Sequence, residues 1–155
     1  MIHVVLYEPE IPPNTGNIIR LCANTGTQLH LIHPLGFELD DARLQRAGLD
    51  YHEWANVREH QSLDDFMTVV NPDEIYAIST KGHRHYSDVD FAGDSNIALL
   101  FGPETRGLPG PVLAGLPPEN ILRIPMLATS RSLNLSNAVA VIVYEVLRQQ
   151  NFSKL

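Results

Sequence analysis

A chain of 155 residues, 44% apolar and 19% charged, is expected to fold as one domain with a core that needs no staples, and its composition excludes a disordered chain. Eighteen Asp and Glu against eleven Lys and Arg give a net charge of -7, which argues against an unspecific nucleic-acid coat but leaves room for a nucleic-acid enzyme with a local basic groove. A single cysteine, Cys22, excludes an internal disulfide and a cysteine zinc cage. With no leader-like start and no run of about 18 apolar residues, the expectation is a soluble, cytoplasmic protein without a membrane span.

In chain order, Ile2 to Tyr7 reads as a short buried strand. The stretch Pro12-Pro13-Asn14-Thr15-Gly16-Asn17 reads as a turn-rich junction, and residues 17 to 25 as a helix stopped at Gly26. Strands follow over 28–33, 57–60 (an edge strand), 74–80, 96–101 and 120–124. Helices are expected over 40–47, over 62–70 behind a Ser-x-x-Asp start, over 111–116, and from Ser132 or Asn134 to about Gln150. Strands alternating with helices predict an α/β fold, a mostly parallel sheet with helices on both faces. The last helix carries Leu135, Ala138, Val139, Val141, Ile142, Val143, Val146 and Leu147, apolar on nearly all sides. That pattern predicts burial all round, through a homodimer in preference to a central helix within one domain.

Three segments concentrate polar chemistry between elements. In Asn14-Thr15-Gly16-Asn17-Ile18-Ile19-Arg20, Asn14 and Thr15 are candidate helix caps and Gly16 permits close approach. Arg20, about a turn into the helix, should point from the same end of the fold; alone, the segment is equally an ordinary capped helix. In Phe101-Gly102-Pro103-Glu104-Thr105-Arg106-Gly107-Leu108, an apolar strand runs into a turn at the sheet's carboxyl end, where open α/β sheets bind ligands. It is neither a Walker A loop nor a dinucleotide fingerprint. In Ile124-Pro125-Met126 followed by Arg131-Ser132-Leu133-Asn134-Leu135-Ser136-Asn137, backbone donors gather at a helix start, and Asn134 and Asn137 read as buried amides that need partners. His30 with His33, and His83 with His85, lack a third ligand and are read as packing or solvated histidines, so no metal is expected.

Taken together, these segments resemble, in order and spacing, the three motifs of the SPOUT methyltransferases. The opening Leu6-Tyr7-Glu8-Pro9-Glu10-Ile11-Pro12-Pro13-Asn14-Thr15-Gly16-Asn17 is similar to the minimal tRNA wobble-position branch. The resemblance implies one SPOUT domain over 1–155, no separate RNA-binding domain, and a deep C-terminal trefoil knot. It implies a homodimer through the last helix, with S-adenosylmethionine as cofactor and S-adenosylhomocysteine as product. It implies 2′-O-methylation of the wobble ribose, position 34, a cytidine or modified uridine in the tRNA anticodon stem-loop, with leucine tRNAs as substrates. Carried over by motif, Ile78, Gly102, Glu104, Ile124, Met126, Ser132 and Leu133 bind the cofactor. Arg20, Asn14 and Asn137 are the catalytic candidates, and Arg20, Arg106 and Arg131 the RNA-binding ones. Alternatives from other classes are a family enzyme acting on rRNA or another tRNA position, a catalytically silent dimeric RNA-binding module, and a Rossmann-like nucleotide binder. The charge divides unevenly: residues 38–94 carry -8, while 95–155 carry +2, so the acidity lies away from the motifs.

Overall fold

The computed structural model describes every residue except Asp94. Seven strands form one all-parallel sheet in the order β3-β2-β1-β6-β4-β7-β5. They are β1 (Ile2–Tyr7), β2 (Gln28–Ile32), β3 (Arg58–His60), β4 (Glu74–Ile78), β5 (Arg84–His85), β6 (Ile97–Phe101) and β7 (Ile121–Arg123). The helices are α1 (Pro12–Thr25), α2 (Asp41–Arg46), α3 (Tyr51–Trp54), α4 (Leu63–Val70), α5 (Gly110–Ala114) and α6 (Leu135–Gln149). β6 is buried along its whole length, as a strand covered on both faces must be.

Strand periodicity divides the core into two layers. Val4, Leu6, Leu99 and Phe101 pack with Ile18 and Ile19 of α1 and with Val139, Ile142, Val143 and Val146 of α6. Val5, Ile32, Ala98 and Leu100 point the other way and pack with Phe66 of α4 and Leu113 of α5. The expected α/β architecture with helices on both faces is present. The edge position of β3 and the Ser62 cap, whose hydroxyl accepts the Asp65 N–H at 3.0 Å, also match expectation.

Two local expectations fail. α1 begins at Pro12, five residues early, because proline at the first helical positions loses only an N–H that has no intrahelical partner there. Asn14 and Thr15 are therefore inside the first turn, not caps. A Cβ on Gly16 would meet nothing within 4 Å, so no close approach requires that glycine. Within one chain α6 buries Val139, Ile142, Val143, Val146 and Leu147, while Val141 and Tyr144 remain 38% and 45% exposed, the apolar surface that the expected homodimer would cover. One stripe of a helix is enough to cover this sheet face, and the rest of its apolar surface is left open in a single chain.

On the α4 face, three buried histidines from neighbouring strands form a hydrogen-bonded row. His3 Nδ1 and His30 Nε2 are 2.9 Å apart, as are His30 Nδ1 and His60 Nε2, and Phe66 meets the last two rings edge-on. His33 faces the other way and pairs with Glu59 at 2.8 Å. Burial, reinforced by the flanking His3 and His60, pushes the His30 imidazole down to about 3, and burial lowers His3 and His60 as well. A folded-state value below the unfolded value of about 6.5 means that the unfolded chain takes up the extra proton. Stability is therefore full above pH about 6.5 and falls toward pH 3, approaching about 1.4 kcal/mol per pH unit from His30 alone. Urea unfolding between pH 7.5 and 5 is expected to show this slope, and His30→Gln to lower stability at pH 7.5 while flattening it.

Candidate active site

The cavity lies at the carboxyl end of the sheet, where β1 and β6 meet and the strand order reverses direction. Its volume is about 480 Å³, the size of a small-molecule site. Its walls come from four places far apart in the chain: the β1–α1 loop, the end of β4, the loop after β6, and the segment from β7 into α6.

Two carboxylates hold the first and third walls together. Glu104 accepts the Glu10 N–H at 2.9 Å and the Ile11 N–H at 2.6 Å, and Asn14 Nδ2 approaches it at 3.4 Å. Glu10 answers by accepting the Thr105 N–H and hydroxyl, both at 2.8 Å. These bonds from Thr105, backbone first, hold the Glu10 carboxyl below the usual carboxylate range. Arg106 lies over the same junction, 3.3 Å from Glu8 and 3.5 Å from Glu10.

Gly102 makes the loop after β6 possible. A Cβ there would stand 2.4 Å from the Leu108 nitrogen and 2.6 Å from the Gly107 carbonyl carbon, because the loop closes back on its own start. Gly82 has the same role opposite β7, where a Cβ would come within 2.8 Å of the Ile121 oxygen. The segment before it is tied down by the Ser79 N–H donating to the Leu122 carbonyl at 2.9 Å.

Asn134 joins the last wall to the first. Its Oδ1 caps α6 by accepting the Ser136 and Asn137 N–H groups, and its Nδ2 donates to Asn14 Oδ1 at 3.0 Å. Asn134 and Asn137 are exposed rather than buried: capping at an open helix end accounts for the Asn134 amide without enclosure.

Ile78, Gly102, Glu104, Ile124, Met126, Ser132 and Leu133 all line this one cavity. Asn14, Arg106 and Arg131 line it too. Asn137 and Arg20 do not. Because α1 starts at Pro12, Arg20 lies in its third turn, about 12 Å down the axis, and not one turn from the loop. Its guanidinium turns to α3, where Nε meets Glu53 Oε2 at 2.9 Å and Nη2 bonds the Gly48 carbonyl. Asn14 therefore orients Asn134 and Glu104 rather than Arg20.

Sequence reasoning passed over Glu10, Glu53 and helix α3. Asp50-x-x-Glu53 is a capping-box spacing and the box is formed, so α3 was detectable. The Glu10–Glu104 exchange spans 94 residues and has no local signal. The chemistry of the walls suits a ligand with both apolar and polar parts: Ile78, Ile124 and Leu133 against Glu104, Ser132 and the loop backbone. Gly102→Ala is expected to lower stability by about 2–3 kcal/mol through overpacking against backbone, measured as a shift in the urea midpoint; Gly16→Ala, with open space, is expected to cause no loss by this route.

The model of the SpoU rRNA Methylase family matches residues 1–144. A tRNA (cytidine(34)-2'-O)-methyltransferase of Aeromonas hydrophila is 59% identical over 153 residues, covering 99% of this chain and 97% of the relative. A crystal structure from Bacillus anthracis superposes with a TM-score of 0.94 at 45% identity, covering 100% of this chain and 98% of that one. A second structure, which concerns 2-OH methylation of C/U34 on tRNA, gives 0.86 at 44% identity, covering 98% and 97%. With three distant motifs converging on one cavity and a family match over nearly its whole length, the chain belongs to the SpoU rRNA methylase family.

Proposed function

We propose that this protein transfers a methyl group from S-adenosylmethionine to the ribose 2′-oxygen of the wobble nucleotide of tRNA, a cytidine or modified uridine at position 34. It does so as a cytoplasmic homodimer, with residues 1–155 acting as one methyltransferase domain. The observation that carries the reading is the convergence of the motif residues on a single cavity at the sheet's switch point.

The walls fit the cofactor. Ile78, Ile124 and Leu133 give an apolar surface for the adenine and the carbon chain. In this reading the backbone of Ile124 and Met126 holds the adenine while Ser132 and Leu133 close the site, and all four line the cavity; Gly102 leaves the loop backbone bare there. A bound S-adenosylmethionine would supply an electrophilic methyl for the ribose 2′-oxygen, with the hydroxyl proton passing to solvent water and S-adenosylhomocysteine as the other product. What the protein has to provide is position and compensation of charge. Glu104 does this indirectly, since its oxygens hold the β1–α1 loop and not a ligand. Arg131, exposed at the rim, offers a guanidinium fork to RNA phosphates, and Arg106, whose Nε–Nη2 edge faces Glu10 and Glu8, offers its other edge.

Arg20 is the residue we assign to the developing alkoxide and its neighbouring phosphate. Its distance from its own chain's cavity is consistent with an active site completed across a dimer. The open stripe of α6 at Val141 and Tyr144 is the surface for that contact. The net charge of -7 means that one subunit attracts RNA weakly, so binding should be salt-dependent and should need both subunits.

Labelled S-adenosylmethionine and bulk tRNA lacking 2′-O-methyl groups, followed by mapping of the label, test the activity. Label at position 34 is the expected result. Transfer to rRNA alone would overturn the wobble assignment, and no transfer with cofactor bound would favour a silent RNA-binding module. Arg20→Lys is expected to reduce kcat about 10- to 100-fold with little change in cofactor binding. Tyr144→Glu is expected to shift sedimentation toward monomer and to weaken tRNA binding in parallel. A monomer that binds tRNA as the parent does would contradict the dimer requirement.

A further inference from the structure

We propose that Glu53 is a positioning residue for Arg20: its carboxylate locks one edge of the guanidinium so that Nη1 is presented outward as a fixed cation. The inference rests on the assignment of Arg20 to the reacting ribose. Its geometric basis is separate.

Glu53 is anchored before Arg20 contributes anything. Its Oε1 accepts the Asp50 N–H at 2.8 Å in the box that starts α3, and its side chain is only 8% exposed. Arg20 then donates from Nε to Oε2 at 2.9 Å and from Nη2 to Oε1 at 3.3 Å. Nη2 also donates to the Gly48 carbonyl. Gly48 holds φ at +88°, a conformation other residues rarely take, so the turn that supplies this carbonyl is written into the sequence. These bonds occupy the Nε–Nη2 edge, and among the described residues Nη1 donates to none. The Arg20 side chain is 51% exposed, so Nη1 is open to a phosphate or ribose oxygen.

An ordinary surface ion pair must order two long side chains for a small return. Here one partner is already held by its own helix, and the organisation falls on the arginine alone. Beyond this pair, α3 packs against the core through the partly buried Trp54. The pair also fixes the chemistry of Arg20. The Arg20 hydrogen bond and the Asp50 N–H pull the Glu53 carboxyl down to about 2, and Glu53 in turn raises Arg20 above its ordinary value. Arg20 therefore works as a permanent charge and not as a proton acceptor.

Glu53→Gln separates positioning from folding, because glutamine still accepts the Asp50 N–H while losing the charge and one acceptor. The expected result is a roughly 10- to 100-fold loss of kcat on tRNA with the KM for S-adenosylmethionine and the thermal midpoint unchanged. In an Arg20→Ala background the same change should alter kcat by less than about twofold. Guanidinium ion added to Arg20→Ala should restore part of the rate only while Glu53 is present. Glu53→Asp, which keeps the charge but not the reach, provides a second variant and should also lose kcat. Glu53→Gln and Glu53→Asp at parental kcat, with Arg20→Ala impaired, would overturn the proposal and leave the assignment of Arg20 standing. Fully multiplicative losses in the double variant would overturn it too. Arg20→Ala at parental kcat would overturn the assignment, and the proposal with it.

Discussion

Two glutamates exchange backbone donors across the mouth of the sheet, and the cavity depends on that exchange. Glu104 takes the N–H groups of Glu10 and Ile11, and Glu10 takes that of Thr105. Bonds from amides to ionised carboxylates are stronger than neutral ones, and here they join loops that leave adjacent parallel strands, β1 and β6. Parallel neighbours share no hairpin, so their carboxyl-end loops have no covalent reason to stay together. The carboxylates supply that reason. Asn14, Asn134 and the α6 cap extend the same junction to the last wall.

The helix that follows β1 serves two places. At its first turn Asn14 ties cavity walls together, and two turns later Arg20 is committed to α3. The two residues leave the same helix for different parts of the surface. This separation suits the proposed active site completed by a second subunit. The acidic stretch over 38–94 then has a use as well as a cost. It contains Glu53, whose charge is spent inside the protein on an arginine.

The sheet was legible because buried parallel strands are short apolar runs, and β1, β2 and β6 show them plainly. The cavity was legible as three segments, since glycine, proline and asparagine gather where the backbone leaves the sheet, and the resemblance to SPOUT motifs joined them. What was not legible is where side chains are spent. Glu104 reads as a ligand-binding carboxylate, yet its oxygens are taken by backbone donors 94 and 93 residues away. Arg20 reads as one turn into a helix because prolines read as a turn; their tolerance at a helix start moves the arginine down the axis. The apolar α6 read as buried on all sides, and composition does not say which side meets the sheet and which a second subunit would cover. β5, two residues long, has no periodicity to detect.

The order of the cavity walls along the chain has a consequence during synthesis. The final wall, Arg131 to Leu135 with Ala138, is among the last parts made, and the Asn134 amide that ties it to Asn14 arrives with it. A nascent chain can already form β1, β2, β6 and the Glu10–Glu104 junction, but its cavity is open on one side. Stabilisation by a bound ligand acts only on a state able to bind it. The growing polypeptide therefore gains nothing from the methyl donor until α6, which also covers one face of the sheet, is in place.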